Sequence, residues 1–139
     1  IMQGDGTDVR PAKIEEGNLH CALANPGNPM LTATIFDALQ PENYSSNLIS
    51  FPRQDTFQLK DVLALGNDLY EPAIRICPQI ATLIHQMENS SVADHLLGVG
   101  MSGSGASCFA LSSSQDIVSQ LCEELNAFGF WAVATSLIK

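Results

Sequence analysis

Three short segments of the 139-residue chain carry glycine, asparagine, serine and threonine residues that could contact an anionic ligand. Residues 101–107 read MSGSGAS and lie between two apolar runs. Glycine permits positive φ angles and the close approach of a phosphate or a second backbone. This segment is therefore either a hairpin turn that requires glycine, or a contact for an anion or a loop. No Gly-Lys-Ser/Thr sequence follows it, which excludes a Walker A phosphate-binding loop.

The second and third segments each precede a helical pattern. Residues 25–32 (NPGNPMLT) form a dense turn signal, and we expect Thr32 to cap the helix that follows. Free N–H groups gather at a helix N-terminus, so this segment is either a plain strand-to-helix connection or an anion contact. In residues 66–69 (GNDL), Asp68 has the capping-box spacing to Glu71. We therefore expect a structural, capping role for Asp68.

The other residue types exclude several classes of function. The chain has six basic and 15 acidic residues, and its net charge of −9 repels nucleic-acid phosphates and anionic lipids. An anionic ligand would have to be held by backbone N–H groups or by a metal. The four cysteines lack C-x-x-C spacing and the three histidines lack paired spacing, so we expect buried, reduced thiols and no metal site. No close carboxylate pair and no activated cysteine is present, so no catalytic residue is assigned to this chain.

Apolar periodicity predicts the elements that position these segments. Strands are predicted over 19–24, 96–101, 106–111 and 130–138, and helices over 32–39, 59–65, 73–87 and 114–128. Pro78 should kink or split the third helix, and residues 40–57 form the longest loop. The resulting βαββαβ order predicts an α+β, ferredoxin-like sandwich, in which helices pack on one face of an antiparallel sheet.

Residues 101–109 (MSGSGASCF) resemble the third, glycine-rich motif of the GHMP small-molecule kinases. The NPG of residues 25–27, followed by TATIF at 32–36, is similar to a stretch in one branch of that family, whose members phosphorylate 4-diphosphocytidyl-2-C-methyl-D-erythritol. Residues 66–69 and the helix with Pro78 also match that branch. The three motifs occur in the family's order over about residues 19–112.

The resemblance implies a cytoplasmic enzyme of non-mevalonate isoprenoid and terpenoid biosynthesis. Such an enzyme transfers the γ-phosphoryl group of ATP, with Mg, to the 2-hydroxyl of its substrate. In the family, the N-terminal domain supplies the lysine, the aspartate and the loop over the ATP phosphates. No P-x-x-x-G-L-G-S-S motif occurs here, so we expect a C-terminal domain alone. Residues 1–18 would be the tail of the missing domain and a linker, and residues 19–139 the GHMP kinase C-terminal domain.

The resemblance also implies roles for individual residues. ATP and Mg would bind mainly to the missing domain, and this chain alone would be nearly inactive. Phe36 resembles the aromatic residue that stacks on the cytosine of the substrate. Thr32 and Ala33 lie where the family lines the pocket for the methylerythritol part.

The glycine-rich segment is implied to act through the other domain. Gly103, Ser104 and Gly105 resemble the loop that supports the phosphate-binding loop of the N-terminal domain. The implied partners are therefore diphosphocytidyl methylerythritol and the protein's own N-terminal domain, with no nucleic acid and no membrane. If that domain packs here, apolar side chains should be exposed near residues 25–36 and 101–107.

Two alternatives remain open. A homoserine-kinase-like GHMP enzyme would share the glycine-rich motif but would not require a cytidine-containing substrate. A free-standing, non-catalytic ferredoxin-like module that binds a ligand would be complete as encoded, and would pair at a sheet edge.

Overall fold

A computed structural model describes residues 2–3, 8–9, 13–14, 17–39 and 56–137. The predicted loop over 40–57 lies outside the described residues, apart from Thr56 and Phe57. The described strands are β1 (Met2–Gln3), β2 (Asp8–Val9), β3 (Lys13–Ile14), β4 (His20–Asn25), β5 (Thr56–Phe57), β6 (Gly98–Met101), β7 (Cys108–Ser112) and β8 (Trp131–Ser136). The described α-helices are α1 (Thr32–Asp37), α2 (Leu59–Leu63), α3 (Tyr70–Ile76), α4 (Gln79–Glu88) and α5 (Gln115–Ala127).

The main sheet has four strands in the order β6-β7-β4-β8, and every neighbouring pair is antiparallel. The first strand of the predicted βαββαβ unit, β4, lies between the third and the fourth. This is the strand order of a ferredoxin-like sheet, and the predicted fold class is confirmed. Two pairs of short strands lie outside the main sheet: β1 and β2 pair antiparallel, and β3 and β5 pair parallel.

Alanines on the central strands let the helices approach one face of the sheet closely. Ala22 and Ala24 on β4 and Ala110 on β7 are completely buried in the main core. Against them pack the fully buried apolar residues of the two long helices, which are Ile80, Leu83 and Met87 on α4 and Val118, Leu121 and Leu125 on α5. The three- and four-residue spacing of these positions explains why the sequence forms amphipathic helices here.

The opposite face of the sheet is only partly covered. A second apolar cluster joins Leu59 of α2 to Cys21 and Leu111, with Phe109 packed against it. Beyond this cluster, toward the β8 edge, Trp131 is 55% exposed.

Pro78 splits the long apolar pattern as predicted. The helix α3 ends at Ile76, and Pro78 occupies the N-cap position of α4. Proline lacks the N–H that would continue the hydrogen-bonding ladder, but it is tolerated at a helix start.

Two capping predictions are wrong. Thr32 is already the first residue of α1, with Leu31 at the N-cap. Similarly, α3 begins at Tyr70 with Leu69 at the N-cap, so Asp68 does not occupy the capping position.

Candidate functional site

The glycine-rich segment forms the connection between β6 and β7. The N–H of Ser102 donates to the carbonyl of Ser107 (2.9 Å), and the N–H of Gly105 donates to the carbonyl of Ser102 (3.0 Å). Gly103 and Gly105 have φ angles of +57° and +85°, a region that favours glycine. The backbone therefore forms the hairpin turn that was one of the two sequence-based readings, and the glycines are required by its geometry.

The segment after β4 contacts one side of this turn. The side-chain amide of Asn25 donates to the hydroxyl oxygen of Ser107 (3.1 Å). Its carbonyl oxygen accepts the N–H of Gly27 (2.8 Å), which closes the turn before α1. At the start of α1, the hydroxyl groups of Thr32 and Ser104 are hydrogen-bonded at 3.0 Å. Two segments that lie more than 70 residues apart in the chain are thus joined by side-chain hydrogen bonds.

Asn67 contacts the turn as well. Its amide nitrogen donates to the carbonyl of Gly103 (2.8 Å) and to that of Met101 (3.2 Å). Its amide oxygen accepts the N–H of Leu69 (3.0 Å), so Asn67 performs the local bonding that the sequence assigned to Asp68. The sequence reasoning assigned Asn67 no contact with the turn. The signal that could have found it is an asparagine after glycine, immediately before a helix.

The first helix presents an aromatic ring to solvent. Phe36 is 55% exposed and Leu31 is 75% exposed, whereas the neighbouring Ile35 is completely buried. Thr32 and Ala33 are also exposed. The expectation of exposed apolar side chains is therefore confirmed near residues 25–36. It is wrong for residues 101–107, where Met101 and Ala106 are buried.

The side chains that join these segments are uncharged, and they include no metal-binding cluster. In the described part of the chain, no group of three or more His, Cys, Asp or Glu residues could hold a metal ion. A phosphate at this site would be contacted by neutral N–H and hydroxyl donors.

The four cysteines are all buried and free, in agreement with the sequence-based expectation. Cys108 follows the glycine-rich turn, and burial, with a smaller effect from Cys77, raises the pKa of its thiol to about 12. Burial likewise raises the pKa of Cys122 to about 11, and that of Cys21 above its ordinary value. Because the thiolate is the nucleophilic form, none of these three groups is activated for catalysis.

An open groove of about 500 Å³ adjoins the glycine-rich turn. Asn67 and Met101, which are joined by a hydrogen bond, both line it. The rest of the lining is largely apolar and comes mainly from α2, α3, α4, β6 and β7. The sequence patterns did not predict this groove.

The described helices include none with the length and apolar character needed to cross a bilayer.

Comparison with known proteins gives the family. The sequence model described as "GHMP kinases C terminal" matches residues 50–130. A 4-diphosphocytidyl-2-C-methyl-D-erythritol kinase from Granulibacter bethesdensis is 34% identical over 98% of this chain. The enzyme of the same name from Bartonella bacilliformis is 35% identical over 83% of this chain.

A crystal structure of 4-(cytidine 5'-diphospho)-2C-methyl-D-erythritol kinase has the same architecture, with a TM-score of 0.73 and 25% sequence identity over 98% of this chain. The chain spans 44% of the length of the Granulibacter relative, 37% of the Bartonella relative and 48% of the crystallised chain. It therefore belongs to the GHMP kinase family and corresponds to the C-terminal part of its members.

Proposed function

We propose that this chain is the substrate-side, C-terminal domain of an ATP-dependent kinase. The enzyme phosphorylates the 2-hydroxyl of 4-diphosphocytidyl-2-C-methyl-D-erythritol, in non-mevalonate isoprenoid biosynthesis in the cytoplasm. Support comes from two relatives of that name, each at least 34% identical to this chain.

The single structural observation that carries the proposal is the exposed ring of Phe36. A fully buried residue, Ile35, precedes it, and the same helix is hydrogen-bonded to the glycine-rich turn through Thr32 and Ser104. Pyrimidine rings stack on aromatic side chains, and an exposed ring is suited to that contact when hydrogen bonds fix the position of its helix. Phe36 would stack on the cytosine, with Thr32 and Ala33 beside the methylerythritol part.

The phosphate chemistry requires the rest of the enzyme. The turn at Gly103, Ser104 and Gly105 has neutral donors but no cation, which fits a supporting contact rather than a complete ATP site. We propose that the N-terminal domain binds ATP and Mg and supplies the catalytic residues. Residues 1–18 would then be the end of that domain and a linker, and residues 19–139 the C-terminal domain. The chain alone would have almost no activity, because phosphoryl transfer depends on positioning and charge neutralisation.

The test is a kinase assay on this chain joined to its natural N-terminal extension. ADP release from Mg-ATP is measured with diphosphocytidyl methylerythritol, with methylerythritol phosphate and with homoserine. We expect turnover with the cytidine-containing compound, and rates at least about 100-fold lower with the other two, because loss of the stacked base and its phosphate removes binding energy that positions the hydroxyl.

Each result separates the candidate functions. Turnover that requires the cytidine moiety supports the proposal. Preference for homoserine assigns another GHMP activity, and no turnover with any of the three compounds from a folded, full-length protein contradicts the proposed substrate. The chain without its extension is the matched control, and measurable turnover from it would contradict the proposed division of labour between the two domains.

A further inference from the structure

Asn67 fixes the direction of two peptide groups in the glycine-rich turn. Its amide nitrogen holds the carbonyl oxygens of Met101 and Gly103, at 3.2 and 2.8 Å. In a trans peptide, the C=O and the following N–H point in opposite directions. The N–H groups of Ser102 and Ser104 must therefore point away from Asn67.

The first of these two directions is verified within the structure. The N–H of Ser102 donates to the carbonyl of Ser107, across the hairpin and away from Asn67. The second N–H, that of Ser104, has no acceptor in the described part of the chain. Its hydroxyl is occupied by Thr32, on the helix that also carries Phe36. The Ser104 N–H is thus a fixed donor beside the proposed substrate segment.

We propose that Asn67 is a positioning residue that directs the Ser104 N–H at a phosphate oxygen in the cleft. This inference rests on the proposed kinase function, and the phosphate belongs either to the nucleotide or to the diphosphate of the second substrate. A backbone N–H in a glycine-rich turn is a suitable donor to a phosphate oxygen, because the turn fixes its direction and no side chain has to be ordered. Asn67 acts through this donor and touches no reacting atom.

The test substitution is Asn67→Asp in the full-length protein. The aspartate keeps the oxygen that accepts the Leu69 N–H, but it loses both donated hydrogen bonds and faces two carbonyl oxygens. The matched control is Asn126→Asp. Asn126 likewise donates to two carbonyls, those of Cys122 (2.7 Å) and Ala132 (3.0 Å), and accepts one N–H, but it joins α5 to β8 and does not contact the turn.

We expect kcat/KM to fall roughly 10- to 100-fold in Asn67→Asp, since a displacement of about 1 Å in a positioning group has effects of that size. Asn126→Asp should keep kcat/KM within about twofold, whereas the melting temperature should fall by similar amounts in the two variants. Equal losses of activity in the two variants, or none in Asn67→Asp, would overturn the proposal.

A spectroscopic measurement on the wild-type protein does not depend on whether a variant folds. The Ser104 amide resonance is followed in ¹⁵N-serine-labelled full-length protein, titrated separately with Mg-ADP and with CDP. A downfield shift of the Ser104 amide proton with one of these ligands supports the proposal and identifies which phosphate is contacted. Saturation by both ligands with no change at Ser104 overturns it, whatever the enzyme's substrate proves to be.

Discussion

Replacing Phe36 by alanine separates a substrate contact from a packing contact. A base stacked on an aromatic ring contributes about 1–3 kcal/mol, and every 1.4 kcal/mol changes affinity tenfold. KM for the cytidine-containing substrate should therefore rise about 5- to 140-fold. Because the ring is 55% exposed, its removal loses only part of the burial energy of a phenylalanine, about 1 kcal/mol of folding stability.

The neighbouring residue is the matched control. Ile35 is completely buried, and Ile35→Ala should cost about 2–5 kcal/mol, since it leaves a cavity in the core. At about 3 °C per kcal/mol, the melting temperature should fall by about 3 °C in Phe36→Ala and by about 6–15 °C in Ile35→Ala.

The assay measures KM and the melting temperature of both variants in the full-length enzyme, with Phe36→Tyr included to retain the stacking surface. Phe36→Tyr should keep KM within about threefold, because the aromatic face is preserved. An unchanged KM in Phe36→Ala, or a loss of stability as large as that of Ile35→Ala, would refute the reasoning and make Phe36 an ordinary packing residue.

Two further predictions concern the glycine-rich turn and the strand after it. Gly103→Val in the full-length enzyme should reduce turnover strongly, because the φ of +57° places local strain on valine in this turn. Circular dichroism should still show a folded protein, because no described atom lies within 4 Å of the added Cβ. Unchanged turnover would leave the segment as a turn only. The pKa of the buried Cys108 is raised from 9.0 to about 12, so the unfolded state releases this proton first and stability is lost as pH rises between those values. The free energy of unfolding, measured with urea, should fall less steeply with rising pH in Cys108→Ala than in wild type. The two slopes should differ by about 1.4 kcal/mol per pH unit near pH 10–11, and equal slopes would contradict the burial argument.

Much of the fold was predictable because its signals are local. The apolar spacing on α4 and α5 reflects the 3.6-residue helical repeat, and Pro78 ends one helix because it cannot donate the next hydrogen bond. The strand and helix order then restricts the topology, since short connections and antiparallel pairing allow few arrangements. The parallel pairing of β3 with β5 was not predicted, because each strand has only two residues and carries no usable periodicity.

The candidate site was predictable in part. The glycine-rich segment and the segment after β4 were both identified as possible contacts, but the capping roles of Thr32 and Asp68 were wrong. A hydroxyl or carboxylate before an apolar pattern has the same local sequence signal whether it caps its own helix or bonds elsewhere. In the structure the Thr32 hydroxyl bonds to Ser104, a partner 72 positions away, which no local pattern reports.

The helices and strands, the fold class and the family resemblance could all be inferred from the amino-acid sequence, since they depend on periodicity, turn residues and short motifs along the chain. Which polar groups meet depends on how the chain folds in three dimensions. It turned Phe36 outward and Ile35 inward on the same helix, and it brought Asn67 to the carbonyls of Met101 and Gly103. Burial and hydrogen bonding depend on distances in space, and chain folding sets those distances between residues far apart in sequence.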